Sequence, residues 1–224
     1  MDTNKKEIPT NATVIFAGPS LNATSKSLIQ ELGLYLLPPV QRNDMEALMQ
    51  QNFKGTAIIV DGMFRDVLAV GHAEIREAME QNIQVFGLSS MGAIRAYEMR
   101  YLGMKGFGKT YDWFFKMEDF QDDEVSLLHA PAPYHFSISE PLVHFRECVL
   151  DLVATQQLSA ESGQKVIDTL KSLYFGERKL DLFLSLLAEV SEIDTVALKA
   201  NFDRYRIKQI DLVQFLEQKV WLTK

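Results

Sequence analysis

Residues 83–99 constrain this chain more than any other stretch. Ile83-Gln84-Val85-Phe86 is an apolar run that stops at Gly87-Leu88-Ser89-Ser90-Met91-Gly92, and a helical pattern takes over at Ala93. Such a run, closed by glycine and small polar residues with a 3.6-residue stripe directly behind it, reads as strand, tight turn and helix start. Ser89 and Ser90 therefore sit on the turn. A serine there caps the helix through its hydroxyl, or turns the hydroxyl outward beside unpaired first-turn N–H groups that can hold a developing negative charge. The second arrangement is a nucleophile elbow, although the usual spacing is G-x-S-x-G and here the glycines stand five apart around a serine pair.

The pattern is repeated upstream. Residues 13–17 form an apolar run ending at Gly18-Pro19-Ser20, followed by a helix over 21–32 that stops at Gly33. Residues 34–37 make a second short strand halted by Pro38-Pro39, and Asn43 is placed to cap a helix to about Gln51. Residues 56–60 are apolar throughout, as expected of a strand buried on both faces in a parallel sheet, and they end at Asp61-Gly62. A helix is predicted over 66–81. Four strands alternating with four helices argue an α/β fold: an N-terminal, Rossmann-like parallel sheet flanked by helices over residues 13–138, preceded by an extended or disordered stretch, 1–12. Ser20, Asp61 and Ser90 all fall at strand ends, where such folds bind ligands.

Composition limits the partners. Among 224 residues the net charge is −7, with no basic run, so nucleic acid is not expected as a partner. Residues 1–10 lack the apolar core of a signal peptide, and no apolar run approaches the roughly 18 residues of a membrane span, which together fit a cytoplasmic protein with no membrane contact. The one cysteine, Cys148, excludes an internal disulfide and lies in a helical pattern where a buried, inert thiol is expected.

Beyond Met99 the glycines at 103, 106 and 108 read as a loop carrying Lys105 and Lys109. They are too widely set, and follow a helix instead of a strand, to be a dinucleotide fingerprint, so no nucleotide cofactor is expected. Asp122-Asp123-Glu124 reads as a solvated or helix-capping triplet, because three adjacent carboxylates cannot all face one ion. Val125 to Leu128 and Tyr134 to Ile138, either side of a proline-rich turn, suggest a hairpin or two edge strands. His129, His135 and His144 lack metal-ligand spacing, so no metal site is expected. From residue 139 to 224 the pattern is helical, five helices in all, read as an all-helical part packed on the sheet. In the sheet half, His72, Glu74 and Arg76 share the helix after Asp61, and Arg95 with Glu98 forms either a surface pair or a carboxylate clamp facing the cleft.

Gly18-Pro19-Ser20-Leu21, Asp61-Gly62-x-Phe64, Ala69-Val70-x-His72-x-Glu74-Ile75, Gly87-x-Ser89-Ser90-Met91-Gly92-Ala93-x-Arg95-Ala96-x-Glu98, Gly103-Met104-x-Gly106-x-Gly108, Asp122-Asp123-Glu124-Val125 and Pro141-Leu142-Val143 resemble, in order, the motifs of the TfuA-like family. The resemblance implies a partner of YcaO enzymes in replacing a peptide amide oxygen by sulfur. It further implies a hydrolase-like site with a Ser–Lys pair that cleaves the C-terminal thiocarboxylate of a ThiS-like carrier, and a surface that strengthens the hold of YcaO on its peptide. A serine suits that chemistry: it expels hydrosulfide and leaves an acyl ester for water, with no protein thiol required. Ser90 or Ser89 is then the nucleophile, with Met91 and Gly92 N–H groups as oxyanion donors, Asp61, Gly62 and Arg95 positioning, and Ser20, Glu74 and His129 as further binding residues.

The family often has lysine between the histidine and glutamate of the His-x-Glu-Ile motif, where this chain has Ala73. The base then comes from Lys109, Lys105 or His72, or the chain is a non-catalytic module that docks YcaO and its peptide. A hydrolase of small esters unrelated to sulfur is a third reading, and the sequence allows a homo-oligomer.

Overall fold

The computed structural model describes residues 8–63 and 67–223. The chain lays down β1 (Thr13–Phe16), α1 (Ala23–Glu31), β2 (Tyr35–Leu37), α2 (Asp44–Gln50), β3 (Thr56–Ile59), α3 (His72–Glu80), β4 (Gln84–Leu88), α4 (Met91–Glu98), β5 (Lys105–Phe107) and α5 (Lys109–Lys116). The helices α6 (Asp122–Val125), α7 (Leu142–Ala154), α8 (Ala160–Ser172), α9 (Leu180–Val190), α10 (Thr195–Ala200) and α11 (Ile207–Glu217) follow. The five strands form one parallel sheet in the order β2-β1-β3-β4-β5. The chain reverses its direction of growth between β1 and β3, and in such sheets the crevice beyond the strand ends at that point receives the ligand.

Both faces of the sheet are covered, which is why its strands read as continuous apolar runs. Val14, Phe16, Ala57, Ile59 and Val85 pack with Met45 and Leu48 of α2, Ile75 of α3 and Met91 of α4. Ile15, Ile58 and Phe86 face the other way, onto Ile29 of α1 and Leu212, Phe215 and Leu216 of α11. The last long helix of the chain thus returns to the sheet. Phe145, Leu170, Phe183 and Phe202 centre a separate core within the helical part, and Ile94, Phe114, Phe120, Val125 and Val143 join the two.

Several local expectations need correction. Residues 105–107 are a fifth strand, not loop, held by parallel pairing of Phe86, Gly87 and Leu88 with Lys105, Gly106 and Phe107. The helix expected from residue 66 begins at His72; its expected start at Asp66, like Phe64 of the Asp61-Gly62-x-Phe64 motif and most of the stretch 1–12, lies outside the described residues. Asn43 sits in the left-handed region at φ 73° with no side-chain cap bond, and the Asp44 carboxylate takes the Gln41 N–H instead. The expected hairpin reduces to one antiparallel bridge, His129 to Ser137, because Val125 ends α6 and prolines occupy the turn. Within the acidic triplet, Glu124 is fully buried and takes a two-pronged bond from Arg146 (2.7 and 2.9 Å), and Asp123 pairs with the buried Arg178 at 2.6 Å. Glu124 and Asp123 tie α6 to the helical part, while Asp122 is exposed and all three stand in the first turn of α6, so only the burial of Glu124 departs from the expected solvated or helix-capping triplet.

Candidate active site

The strand ends gather around a cavity of about 720 Å³ whose lining includes Asp61, Gly62, Ser90, His129, His135 and Lys208. Asp61 anchors one wall. Its carboxylate accepts from the Gly18 N–H (2.8 Å), the Ser20 N–H (2.9 Å) and the Ser20 hydroxyl (2.7 Å), joining the β1–α1 turn to the end of β3 across the reversal point. Ser20 is thus a fixed part of the wall, fully buried, and absent from the cavity lining. Asp61→Ala leaves two backbone donors and a buried hydroxyl without their acceptor, so a loss of about 3 kcal/mol is expected, read from the urea midpoint.

The turn after β4 separates the two serines. Ser89 has φ 65°, in the left-handed region a side chain seldom adopts, and the Ser90 N–H closes back on the Leu88 carbonyl at 2.7 Å. This is a three-residue turn of the strained kind that throws the next side chain off the end of a strand. The Ser89 hydroxyl is fully buried and donates to the Lys208 carbonyl at 2.8 Å. Ser90 begins α4 without capping it, and its residue lines the cavity with 6% of its surface exposed. Of the two, Ser90 is the one that meets the cavity.

The oxyanion donors expected at the helix start are partly engaged. The Gly92 N–H donates to the Val60 carbonyl at 3.2 Å and is therefore withdrawn from the role the sequence suggested. The Met91 N–H, first in α4, has no intrahelical acceptor by helix geometry. Gly92 serves packing instead: a Cβ there would stand 1.8 Å from the Ile59 carbonyl oxygen, and one at Gly87 would stand 2.0 Å from the Gly92 carbonyl oxygen. The five-residue glycine spacing lets α4 lie directly on β3 and β4.

The expected bases are elsewhere. Lys109 pairs with Glu147 and lines a separate cavity with Asp211, whose carboxylate accepts the Lys109 and Thr110 N–H groups at 2.7 and 2.8 Å; burial pushes Asp211 up to about 6. Lys105, on β5, stands over the Phe86 ring. His72 is exposed and bonds Glu98 at 2.8 Å. Arg95 also bonds Glu98, at 2.6 Å, and donates to the Val70 carbonyl, so it ties α4 to the loop before α3 and does not line the cavity. Glu74 caps α3 through the Gly71 N–H and ties in the Asn43 N–H, a structural use in place of the expected binding one.

The amine that lines the cavity with Ser90 is Lys208, at the start of α11, which the sequence reading left unassigned. It is 1% exposed. Burial drives its ammonium down to about 8, against the opposing pull of the Asp61 and Glu140 carboxylates, and its Nζ donates to the Val125 carbonyl at 2.9 Å. Its backbone is clamped on both sides: the Ser89 hydroxyl holds its carbonyl, and its N–H points at His144 Nε2 at 3.4 Å. His144 is fully buried, which lowers its pKa, and its Nε2 accepts from the Lys208 N–H, so Nδ1 carries the hydrogen given to Glu140 Oε2 at 2.9 Å. Glu140 stays ionised, down at about 2, because His144 and Arg206 hydrogen-bond it and outweigh its burial. Also in the lining, His129 donates from Nδ1 to its neighbour's carbonyl, and burial and His129 together depress His135. Elsewhere, burial pushes the Cys148 thiol up to about 12, as an inert cysteine requires.

Among the described residues no group of three or more histidine, cysteine or acidic side chains is placed to hold a metal ion, and no helix is long and apolar enough to cross a membrane. Fold and cavity define a doubly wound α/β protein with a serine at a strained strand end and a buried lysine on the same cavity. Residues 61–179, more than half of the chain, match the family described as TfuA-like protein, and the chain belongs to that family. The matched span holds Asp61, Ser89, Ser90 and His144, while Ser20 and Lys208 lie outside it. No curated protein matches the chain. Membership is consistent with an accessory role beside YcaO enzymes in thioamidation.

Proposed function

We propose that this chain hydrolyses the C-terminal thiocarboxylate of a ThiS-like carrier and releases sulfide for a YcaO enzyme, with Ser90 as nucleophile and Lys208 as base. The observation that carries the reading is the shared cavity: one hydroxyl freed by a strained turn and one buried, depressed amine line it together. In the first step the Ser90 oxygen bonds the thiocarboxylate carbon, the carbon–sulfur bond breaks, and Lys208 carries the hydroxyl proton to the departing sulfur, giving hydrosulfide and an acyl ester on Ser90. Water then attacks the ester with Lys208 accepting its proton, the carboxylate leaves, and the Ser90 hydroxyl is restored. The Met91 N–H is the first-turn donor for the oxyanion, and the bond from Nζ to the Val125 carbonyl holds the amine in place.

Ser90→Ala is expected to lower sulfide release from a thiocarboxylated carrier by at least about a thousandfold, with the fold intact. An unchanged rate would remove Ser90 from the mechanism. The non-catalytic reading, a module that docks YcaO and strengthens its hold on peptide, has one surface in its favour: Tyr134, Phe136 and Ile138 are exposed on the segment that gives Pro131 and His135 to the cavity lining. Pull-down of YcaO by the Ser90→Ala chain distinguishes a docking role from hydrolysis.

A further inference from the structure

The cavity at Ser90 does not end at the strand tips. Phe16, Leu37 and Asp44 line it and also line a second cavity, of about 900 Å³, that runs along the outer side of β2. Among the described residues β2 is an edge strand, paired with β1 alone. The Ala17 N–H donates to the Leu37 carbonyl at 3.1 Å, so Leu37 and, two residues back, Tyr35 face β1, and Leu36 turns its N–H and C=O away from the sheet. Edge strands of this kind are normally charged, interrupted or covered. Residues 34–37 carry no charge, Leu36 is 43% exposed, and Ile8, Leu34 and Leu48 add apolar wall beside it.

We propose that this groove receives the extended C-terminal segment of the protein substrate, laid beside β2 as an added strand whose end passes over the strand tips to Ser90. The inference rests on the hydrolase reading and adds to it where the substrate docks and in what form. Open backbone groups beside an apolar trough are what strand addition requires. All five strands end at the same rim, so the added strand runs parallel to β2 to bring a C-terminus there. The register sets its length: Leu37 is level with Phe16, Ile59 and Gly87, so a strand added outside β2 lies four strand spacings from β4, or about 19 Å at ~4.8 Å each. About six extended residues cross that distance and about three more pair with β2. The substrate is therefore a carrier with a free tail of about nine residues or more.

The test uses the full chain carrying Ser90→Ala and fluorescein-labelled peptides of alternating valine and serine ending in a thiocarboxylate. Binding by anisotropy is expected to tighten about tenfold between peptides of four and ten residues, and Leu36→Pro, which removes the outward N–H at a position where an edge strand tolerates proline, returns the longer peptide to the weaker value. Affinity independent of length overturns the groove. Should Leu36→Pro fail to fold, benzoylphenylalanine placed at position 36 reports the occupant by crosslinking: a crosslink to the peptide supports the proposal, and one to residues 1–7 or to a second copy overturns it. Sulfide release from a thiocarboxylated carrier by the unaltered chain reports on the serine. Release there with length-independent peptide binding faults only the groove, and no release there faults the reading beneath it.

Discussion

Lys208→Met is expected to cut sulfide release by about a thousandfold while the protein stays folded to within about 1 kcal/mol. The two halves of that outcome have one cause. Lys208 is fully enclosed, and burial holds its amine down to about 8, well below the 10.4 or so of a solvated lysine. Below pH 8 the folded protein therefore encloses a cation it would stabilise better without, and stability rises as pH climbs from about 8 to 10.4, where the unfolded chain binds the proton and the folded chain does not. Methionine has similar length, carries no charge to bury, and loses only the bond to the Val125 carbonyl, so loss and gain roughly cancel. Catalysis has no such compensation, because the proton of the Ser90 hydroxyl then has no acceptor.

The same depressed amine predicts the pH profile of the unaltered chain. Activity in kcat/KM is expected to rise tenfold per pH unit below about pH 8 and to level off above it, as the neutral amine fills. A flat profile across that range, or a Lys208→Met chain that unfolds, would make the lysine structural and not catalytic.

How much of this was legible beforehand differs by level. The parallel sheet was written in the apolar runs of β1, β3 and β4, which are buried on both faces, and in glycines and prolines at their ends. β5 was hidden because Lys105-Gly106-Phe107 is too short to show a period, and its glycine exists for contact: a Cβ at Gly106 would stand 2.2 Å from the Tyr111 ring. The serine pair announced itself by sitting on the turn, but which serine meets the cavity depends on the positive φ at Ser89, a backbone choice that no side chain there advertises. Lys208 lies 118 residues beyond Ser90 in the chain, so no local motif could join them. One signal was available: Lys208 and Asp211 occupy the same helical stripe as Leu212 and Phe215, and charges on an apolar stripe are buried for a reason. The lysines that drew attention, Lys105 and Lys109, stood in a glycine-rich stretch near the turn, and proximity in sequence misled.

Gly92→Ala is expected to destabilise the protein by about 4 kcal/mol and lower its melting temperature by roughly 10 °C. The added carbon would stand 1.8 Å from the Ile59 carbonyl oxygen and 2.6 Å from its carbon, both backbone atoms of a central strand, so no rotamer change relieves the overlap and α4 itself must lift from β3. Lifting it breaks the bond from the Gly92 N–H to the Val60 carbonyl and moves Ser90, two residues away, off the cavity wall. Sulfide release therefore falls with stability, even at temperatures where the variant remains folded. Gly103→Ala is the control: its φ of 101° makes alanine strained, but nothing lies within 4 Å, so about 1 kcal/mol is expected with activity unchanged. Differential scanning calorimetry of the two variants decides the matter. Equal losses would mean that the close approach of α4 to the sheet is soft, and that the glycine spacing around the serines reflects backbone freedom and not contact.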